Sequence, residues 1–320
     1  MTTQSKPETR SALVFPGMAP IRFADVAKFM LINSHARRLL RIADEALGYS
    51  LFDRYRDADA DGDYSEYAQV AFFVNCVALG HWAEEVHGMS PDVIAGPSFG
   101  SKSAAVFSGV LSFTDAVRMT ASMARVENDY FAREYRDAVT LSFTRTPREQ
   151  LDEVLAELND RGEWYDLSCH IDDDFYMVSL DGGSVEWMEK QLRSLGGMPL
   201  YTMRPPMHCS AFGALRDRID EEVLAGLRFA DPALPVVADQ DGAVLTTGEQ
   251  VRQMLLDGYV LPVRWPAVVD TLKERFDVGR MYVCGPDSLF GRVGVTTRNF
   301  ELVQANPRTA MRPRRAVVAV

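Results

Sequence analysis

Val93-Ile94-Ala95-Gly96-Pro97-Ser98-Phe99-Gly100 is a short apolar run that ends in a Gly-x-Ser-x-Gly turn, and Ser103, Ala104 and Ala105 open a helical stretch behind it. An apolar run of this length closed by glycines reads as a buried strand. A sharp strand-to-helix turn needs small flanking residues and projects the serine hydroxyl above the sheet. The Phe99 N–H, at the helix start, is then placed to bind a developing oxyanion. The pattern alone also suits a glycine-rich turn with a capping serine. The strand, the helix and the small residues together make Ser98 the candidate nucleophile.

Outward from this turn, the chain alternates strands and helices. Ala12–Phe15 reads as a strand stopped by Pro16-Gly17, and helical spacing follows from about Phe23 to Leu47. A polar loop, Arg54 to Ser65, leads into an apolar helix, Tyr67 to Glu85, and a further helix starts near Thr114. Strands followed by helices imply an α/β lobe around a parallel sheet. The middle of the chain has another rhythm. Val139–Phe143, Trp164–Ile171, Phe175–Leu180 and Met198–Met203 read as strands, with helices over Arg148–Leu158 and Val185–Leu195. That order, βαββαβ, is the split unit of a ferredoxin-like lobe. Leu234–Ala238 and Arg280–Cys284 resume the first pattern. The expected organisation is a large α/β lobe, 1–132 and 204–320, interrupted by a ferredoxin-like small lobe, 133–203.

Composition narrows the function. The 320 residues are 47% hydrophobic and 25% charged, ordinary for a globular enzyme. The net charge of -11 disfavours nucleic acid, whose phosphates call for a basic surface. No apolar run reaches the ~20 residues of a membrane helix, and the polar start MTTQSKPETRS lacks a signal peptide's apolar core. Cys76, Cys169, Cys209 and Cys284 are scattered with no CxxC pair. A cytoplasmic chain with reduced thiols and no metal site is therefore expected. The arginine-rich stretch after Asn306 reads as a solvated tail. Asp57-Ala58-Asp59-Ala60-Asp61-Gly62 imitates the start of a calcium loop, but position 12 of that loop is Ala68 instead of the bidentate acid. A solvated acidic loop is the better reading.

A serine nucleophile needs a base. Of five histidines, His35 and His81 fall on helices, His87 in a loop before the nucleophile strand, and His170 in the small lobe. His208, in Arg204-Pro205-Pro206-Met207-His208-Cys209-Ser210, stands where the chain re-enters the large lobe, and it is the expected base and acid. No Asp or Glu is assignable as its orienting partner, so a backbone carbonyl is expected to do that work.

These residues resemble the malonyl-CoA:acyl-carrier-protein transacylase family, which includes the acyltransferase domains of polyketide synthases. Phe15-Pro16-Gly17 is similar to the family's opening motif, Gln69 falls on its segment glutamine, and Gly96–Gly100 matches its nucleophile motif. Met207-His208-Cys209 falls on its histidine segment, and Pro262-Val263-Arg264-Trp265 and Gly285-Pro286 match later landmarks. The resemblance runs from about Ala12 to Phe300. It implies a hydrolase-like large lobe with a ferredoxin-like lobe, oxyanion contacts from the N–H groups of Met18 and Phe99, and a Gly258 carbonyl that orients His208. It also implies no bound cofactor, since phosphopantetheine arrives on the partner, and donor and acceptor acyl carrier proteins as partners. Arg148, Arg204, Arg292 and Arg298 are candidates for receiving an acidic carrier.

The departures from the family bear on substrate. Counted from Ser98, the family's carboxylate-binding arginine falls on Met123, and the histidine before the nucleophile is Pro97. Arginine grips a carboxylate through two charge-assisted hydrogen bonds, and a thioether offers neither charge nor donor. Arg125 lies two positions on, roughly 160° around a helix. A neutral or amine-bearing acyl group is therefore expected over malonyl, in a pocket walled by Met123, Met207, Gln69 and Pro97. The free-standing length is similar to the subgroup that moves aminoacyl or dipeptidyl units between carriers in macrolactam antibiotic pathways. The expected function is a trans-acting acyltransferase working through acyl-Ser98. An acyl-carrier hydrolase, a malonyl transacylase and a non-catalytic carrier-binding protein remain open alternatives.

Overall fold

A computed structural model describes residues 9–58, 64–287 and 289–312. Among them are eleven strands: β1 (Ser11–Val14), β2 (Val93–Ala95), β3 (Ala138–Thr144), β4 (Tyr165–Asp172), β5 (Phe175–Asp181), β6 (Met198–Met203), β7 (Val236–Val237), β8 (Val244–Leu245), β9 (Val263–Arg264), β10 (Arg280–Cys284) and β11 (Glu301–Ala305). They form two sheets, ordered β11-β10-β1-β2-β7-β8 and β6-β3-β5-β4-β9.

The first sheet is parallel from β11 through β7, and β8 turns back antiparallel on β7. Its central strand β1 is buried at every residue, as a strand covered on both faces must be. One face packs under the Glu66–His87 helix, whose residues are buried almost all round. A helix apolar on every side belongs inside a core. This layer holds the turn carrying Ser98 at the β2 end.

The second sheet is antiparallel through its first four strands, in the order expected of a ferredoxin-like unit. Alternation along β5 explains its two packed faces. Phe175 and Met177 join the core shared with β1, β2 and β10. Tyr176, Val178 and Leu180 face the helices Arg148–Asp160 and Val185–Ser194 through Leu151, Leu155, Met188 and Leu192. Successive strand side chains point to opposite faces, so one strand serves both layers.

Several local expectations are corrected. The helical stretch from Phe23 is two helices, Phe23–Ile32 and Ser34–Leu47, because extended Asn33 breaks the first and caps the second with its side-chain oxygen on His35 and Ala36 N–H. Part of the polar loop is helical, Leu51–Asp57, capped by Ser50. His87 ends the Glu66–His87 helix and is not in a loop. The tail begins ordered: Asn306 and Thr309 form a reciprocal cap on Pro307–Ala310, and Ala310 and Met311 pack on the core. Residues 59–63 of the acidic loop, and Arg314 and Arg315 of the tail, lie outside the described residues.

The strands β8, β9 and β11 were not expected. Each is short or partly polar and gains its identity from a neighbour. Val263–Arg264 pairs in parallel with Cys169 and His170, so a large-lobe segment extends the small-lobe sheet. The two lobes share a sheet edge at that point, and the cleft between them is braced there. Among the described residues no helix is long and apolar enough to cross a membrane.

Candidate active site

The turn at the candidate nucleophile Ser98 is made by hard sterics. Ser98 lies in the left-handed region, with φ 54°, where a non-glycine residue is strained. Its neighbours leave no room for side chains. A Cβ on Gly96 would meet the Gly100 carbonyl, and one on Gly100 would meet the Phe15 carbonyl. Both glycines are therefore required by close backbone approach. The Pro97 and Ser98 carbonyls accept from Gly100 and Ser101 N–H at 3.1 Å each, which starts the Gly100–Phe107 helix.

His208 comes to this turn from 110 residues along the chain. Its Nε2 lies 2.7 Å from Ser98 Oγ. It too is left-handed, with φ 60°, so both members of the pair are strained residues held by their surroundings. The holding groups come from both lobes. Cys209 N–H donates to the Tyr259 carbonyl at 3.1 Å, while Ser210 N–H and Oγ each donate to Asp166 Oδ2 of β4 at 2.7 Å.

Burial lowers the His208 imidazole from its ordinary 6.5 to about 4, and the Gly258 carbonyl beside it opposes that shift. The ring is thus neutral at neutral pH, the form that accepts a proton from a hydroxyl. Among the described residues Nδ1 has no partner in full hydrogen-bonding geometry. Gly258, at the end of the Gly248–Asp257 helix, is the backbone group facing it.

A further carboxyl sits against the backbone of Ser98. Asp239 Oδ2 accepts the Ser98 N–H at 2.6 Å, while its Oδ1 is buried without a partner among the described residues. Burial raises its carboxyl from 3.8 to about 7, against the lowering effect of the Ser98 N–H. A charge-assisted acceptor here holds the strained backbone of Ser98. The N–H groups of Phe99 and Met18 make no hydrogen bond to protein among the described residues and are available to an oxyanion.

Around the pair lies a cleft of about 1060 Å³, open mouth included, lined from both lobes. Met18, Ser98, Phe99, Met123, Gln69, Met207, His208 and Gly258 all line it. Met123 is buried on the Phe113–Glu134 helix, and its thioether forms wall where an arginine would bring charge. Arg125 is turned away from the cleft, its guanidinium 2.7 Å from Glu66 Oε1. Pro97 corrects an expectation. It is buried but does not line the cleft, because the left-handed turn at Ser98 sends the next residues toward the cleft and leaves Pro97 behind.

None of the four candidate carrier-binding arginines lines the cleft, and all are exposed. Arg148 is paired with Asp152 at 2.8 Å, and Arg298 with Asp173 at 3.0 Å. Arg204 donates to the Arg136 carbonyl at 2.9 Å. Arg292 makes no side-chain hydrogen bond or ion pair among the described residues, and it follows Leu289 and Phe290 on the cleft wall.

Polar residues at the site that escaped sequence reasoning include Lys102, Glu127, Asp239 and Tyr259. Two had a usable signal. Lys102 lies four residues after Ser98 and Glu127 four after Met123, and that spacing keeps each on the same helix face. Asp239 and Tyr259 reach the site only through tertiary packing.

With this geometry, comparison with known proteins is informative. Residues 142–203 match the VinK acyltransferase small domain, which covers most of the small lobe. The malonyl CoA-acyl carrier protein transacylase of Escherichia coli K12 is 25% identical over 304 residues, 93% of this chain and 95% of that protein. The enzyme of the same name from Bacillus subtilis is 25% identical over 266 residues, 79% of this chain, and the match spans 63% of that longer relative. A solved malonyl-transacylase in complex with its type II polyketide-synthase acyl-carrier protein superposes with a TM-score of 0.82 at 22% identity, covering 95% of this chain and 99% of that one. In sequence over nearly its whole length the chain is similar to the malonyl-CoA:acyl-carrier-protein transacylases, it has their two-lobed fold, and its residues 142–203 are similar to the VinK acyltransferase small domain.

Proposed function

We propose that the chain is a trans-acting acyltransferase that moves a neutral or aminoacyl-type acyl group between thioesters of acyl carrier proteins, in the assembly of a polyketide or macrolactam. The observation that carries this reading is the 2.7 Å contact of Ser98 Oγ with His208 Nε2, at the floor of a cleft whose wall presents Met123. His208 Nε2 takes the Ser98 hydroxyl proton as Oγ attacks the thioester carbon. The N–H groups of Phe99 and Met18 hold the resulting oxyanion. As the C–S bond breaks, His208 returns the proton to the leaving phosphopantetheine thiol, leaving the acyl group on Ser98 as an ester. The acceptor thiol then gives its proton to His208 and attacks that ester, and Ser98 recovers its hydroxyl. No bound cofactor enters either half. The Gly258 carbonyl supports the imidazolium that exists between the steps.

Malonyl is disfavoured because position 123 offers its carboxylate a thioether in place of a guanidinium, while the ammonium of Lys102 is held over the Phe99 ring. The match of residues 142–203 to the VinK acyltransferase small domain supports acyl transfer, and the similar transacylase solved with its acyl-carrier protein supports a carrier as partner. Arg204 and Arg292 follow or precede cleft-lining residues (Met203, Pro205, Phe290) and are the arginines best placed to meet an acidic carrier at the mouth. Intact-mass measurement of the protein after exposure to malonyl, aminoacyl and simple acyl carrier thioesters tests the reading. An adduct with a non-malonyl group, lost in Ser98→Ala and passed to an added acceptor carrier, is expected. Adduct loss at the same rate without acceptor would instead make the protein a hydrolase, and efficient malonyl loading would overturn the substrate argument.

A further inference from the structure

The cleft contains two buried, oppositely charged side chains that do not touch. Glu127 is 3% exposed and Lys102 7% exposed, and both line the cleft. Glu127 is held firmly from two sides: Tyr259 Oη donates to its Oε1 at 2.7 Å, and Gln69 Nε2 donates to its Oε2 at 3.2 Å. Gln69 is fixed in turn by the Tyr64 carbonyl at 3.2 Å. Lys102 Nζ instead sits 4.3 Å from the Phe99 ring centroid. Among the described residues no cation lies within 4.0 Å of Glu127 and no anion within 4.0 Å of Lys102.

A carboxylate offers about four acceptor positions, and Glu127 uses two of them on protein donors. Both of these donors are neutral. A buried carboxylate is normally matched by a cation, and leaving it unmatched is costly. Lys102 senses the Glu127 charge, which opposes the lowering of its pKa by burial, yet it stays over the Phe99 ring. Glu127 stands one helical turn beyond Met123 on the same face, about 6 Å along the wall. Ser98, Met123 and Glu127 all line one cleft, so Glu127 borders the space open to an acyl chain carried on Ser98.

We propose that Glu127 is the specificity-determining residue of the cleft and receives a protonated amine carried on the acyl chain, with Gln69 and Tyr259 holding its two oxygens in place. The inference rests on the acyltransfer reading above and narrows its substrate class to ammonium-bearing acyl groups. Met123 forms the apolar wall along the chain's methylenes, and Lys102, held over the Phe99 ring, is the cation that competes with a substrate ammonium for Glu127.

Matched pantetheine thioesters test this directly: 3-aminopropionyl against butanoyl, and 4-aminobutanoyl against pentanoyl, in which a methyl replaces the ammonium. Intact-mass kinetics of Ser98 loading at pH 6.5 are expected to favour the amine of at least one pair by about 10-fold or more, the worth of a charge-assisted hydrogen bond. Glu127→Gln keeps an oxygen for Tyr259 and removes the charge, so that ratio should fall to within about 2-fold of unity. Lys102→Met provides a second variant, in which loss of the competing cation should raise the ratio. Equal loading of both members by the wild type overturns the inference while the acyltransfer reading stands. So does a preference that survives in Glu127→Gln or falls in Lys102→Met. Absence of a Ser98 adduct with every thioester overturns the acyltransfer reading and this inference with it.

Discussion

The nucleophile turn and the far wall of the cleft are built in opposite ways. Gly96–Gly100 is a local structure, in which five consecutive residues meet the steric demands of a strand entering a helix, and the left-handed Ser98 is dictated by its neighbours. The far wall draws Gln69, Met123 with Glu127, and Tyr259 from three separate parts of the chain, and side-chain hydrogen bonds join Gln69 and Tyr259 to Glu127. Backbone collisions tolerate almost no change at the turn. The wall is made of side chains, so its chemistry can change without moving the fold. Under the proposed function, reactivity and selectivity thus occupy regions of different mutability.

Substitutions can break this contrast, and the largest effect belongs at the turn. Ser98→Ala is expected to abolish the acyl adduct, and His208→Ala to slow loading by about 10³-fold or more, both read by intact-mass kinetics. If either variant loads normally, the pair is not the reactive centre. Gly100→Ala should cost about 2–4 kcal/mol of stability, because its Cβ meets backbone that cannot yield. Denaturant unfolding measures this, and a wild-type midpoint would show that the turn is softer than its geometry.

The wall should respond in specificity and not in stability. Met123→Arg places a guanidinium where the thioether stands, and malonyl loading should rise by about 10-fold or more relative to pentanoyl, with a shift in melting temperature smaller than that of Gly100→Ala. A malonyl rate that stays flat would mean that Met123 does not face the acyl group.

The smallest effect joins the two regions. Asp239→Asn keeps an oxygen for the Ser98 N–H but removes the charge, so loading should fall only a few-fold. In the wild type, protonation of Asp239 as pH falls through about 7 weakens that contact and should produce a shallow inflection there, absent in Asp239→Asn. Because burial lowers His208, its proton uptake should stop the reaction only as pH approaches about 4, well below its ordinary 6.5. A steep loss near 6.5 in rate–pH profiles would show the imidazole to be better solvated than its burial implies.

The distribution of these effects follows what could be read along the chain. Strands with continuous apolar runs, such as β1 and β10, and long periodic helices such as Phe113–Glu134 announce themselves. Short β8, β9 and β11 do not, since two to five residues carry no period and depend on a neighbouring edge. Asn33 within a helical pattern hid a boundary because its cap is a side-chain hydrogen bond, invisible to hydrophobic spacing. The resemblance puts Pro97 on the family's histidine position and hence in the pocket, but adjacency along a left-handed turn does not put two side chains on the same side.

By itself, then, the amino-acid sequence determined the two-lobed α/β architecture, the Ser98 turn, and the absence of arginine at position 123. All three are consequences of local sterics and of periodic burial, which neighbouring residues impose on one another. Only the tertiary structure decided that His208 meets Ser98, that Asp239 holds the Ser98 N–H, and that Glu127 is gripped by Gln69 and Tyr259. Those contacts join residues 58 to 141 positions apart. No local preference encodes them, because they exist only once two packed layers and an inserted lobe have closed on a common cleft.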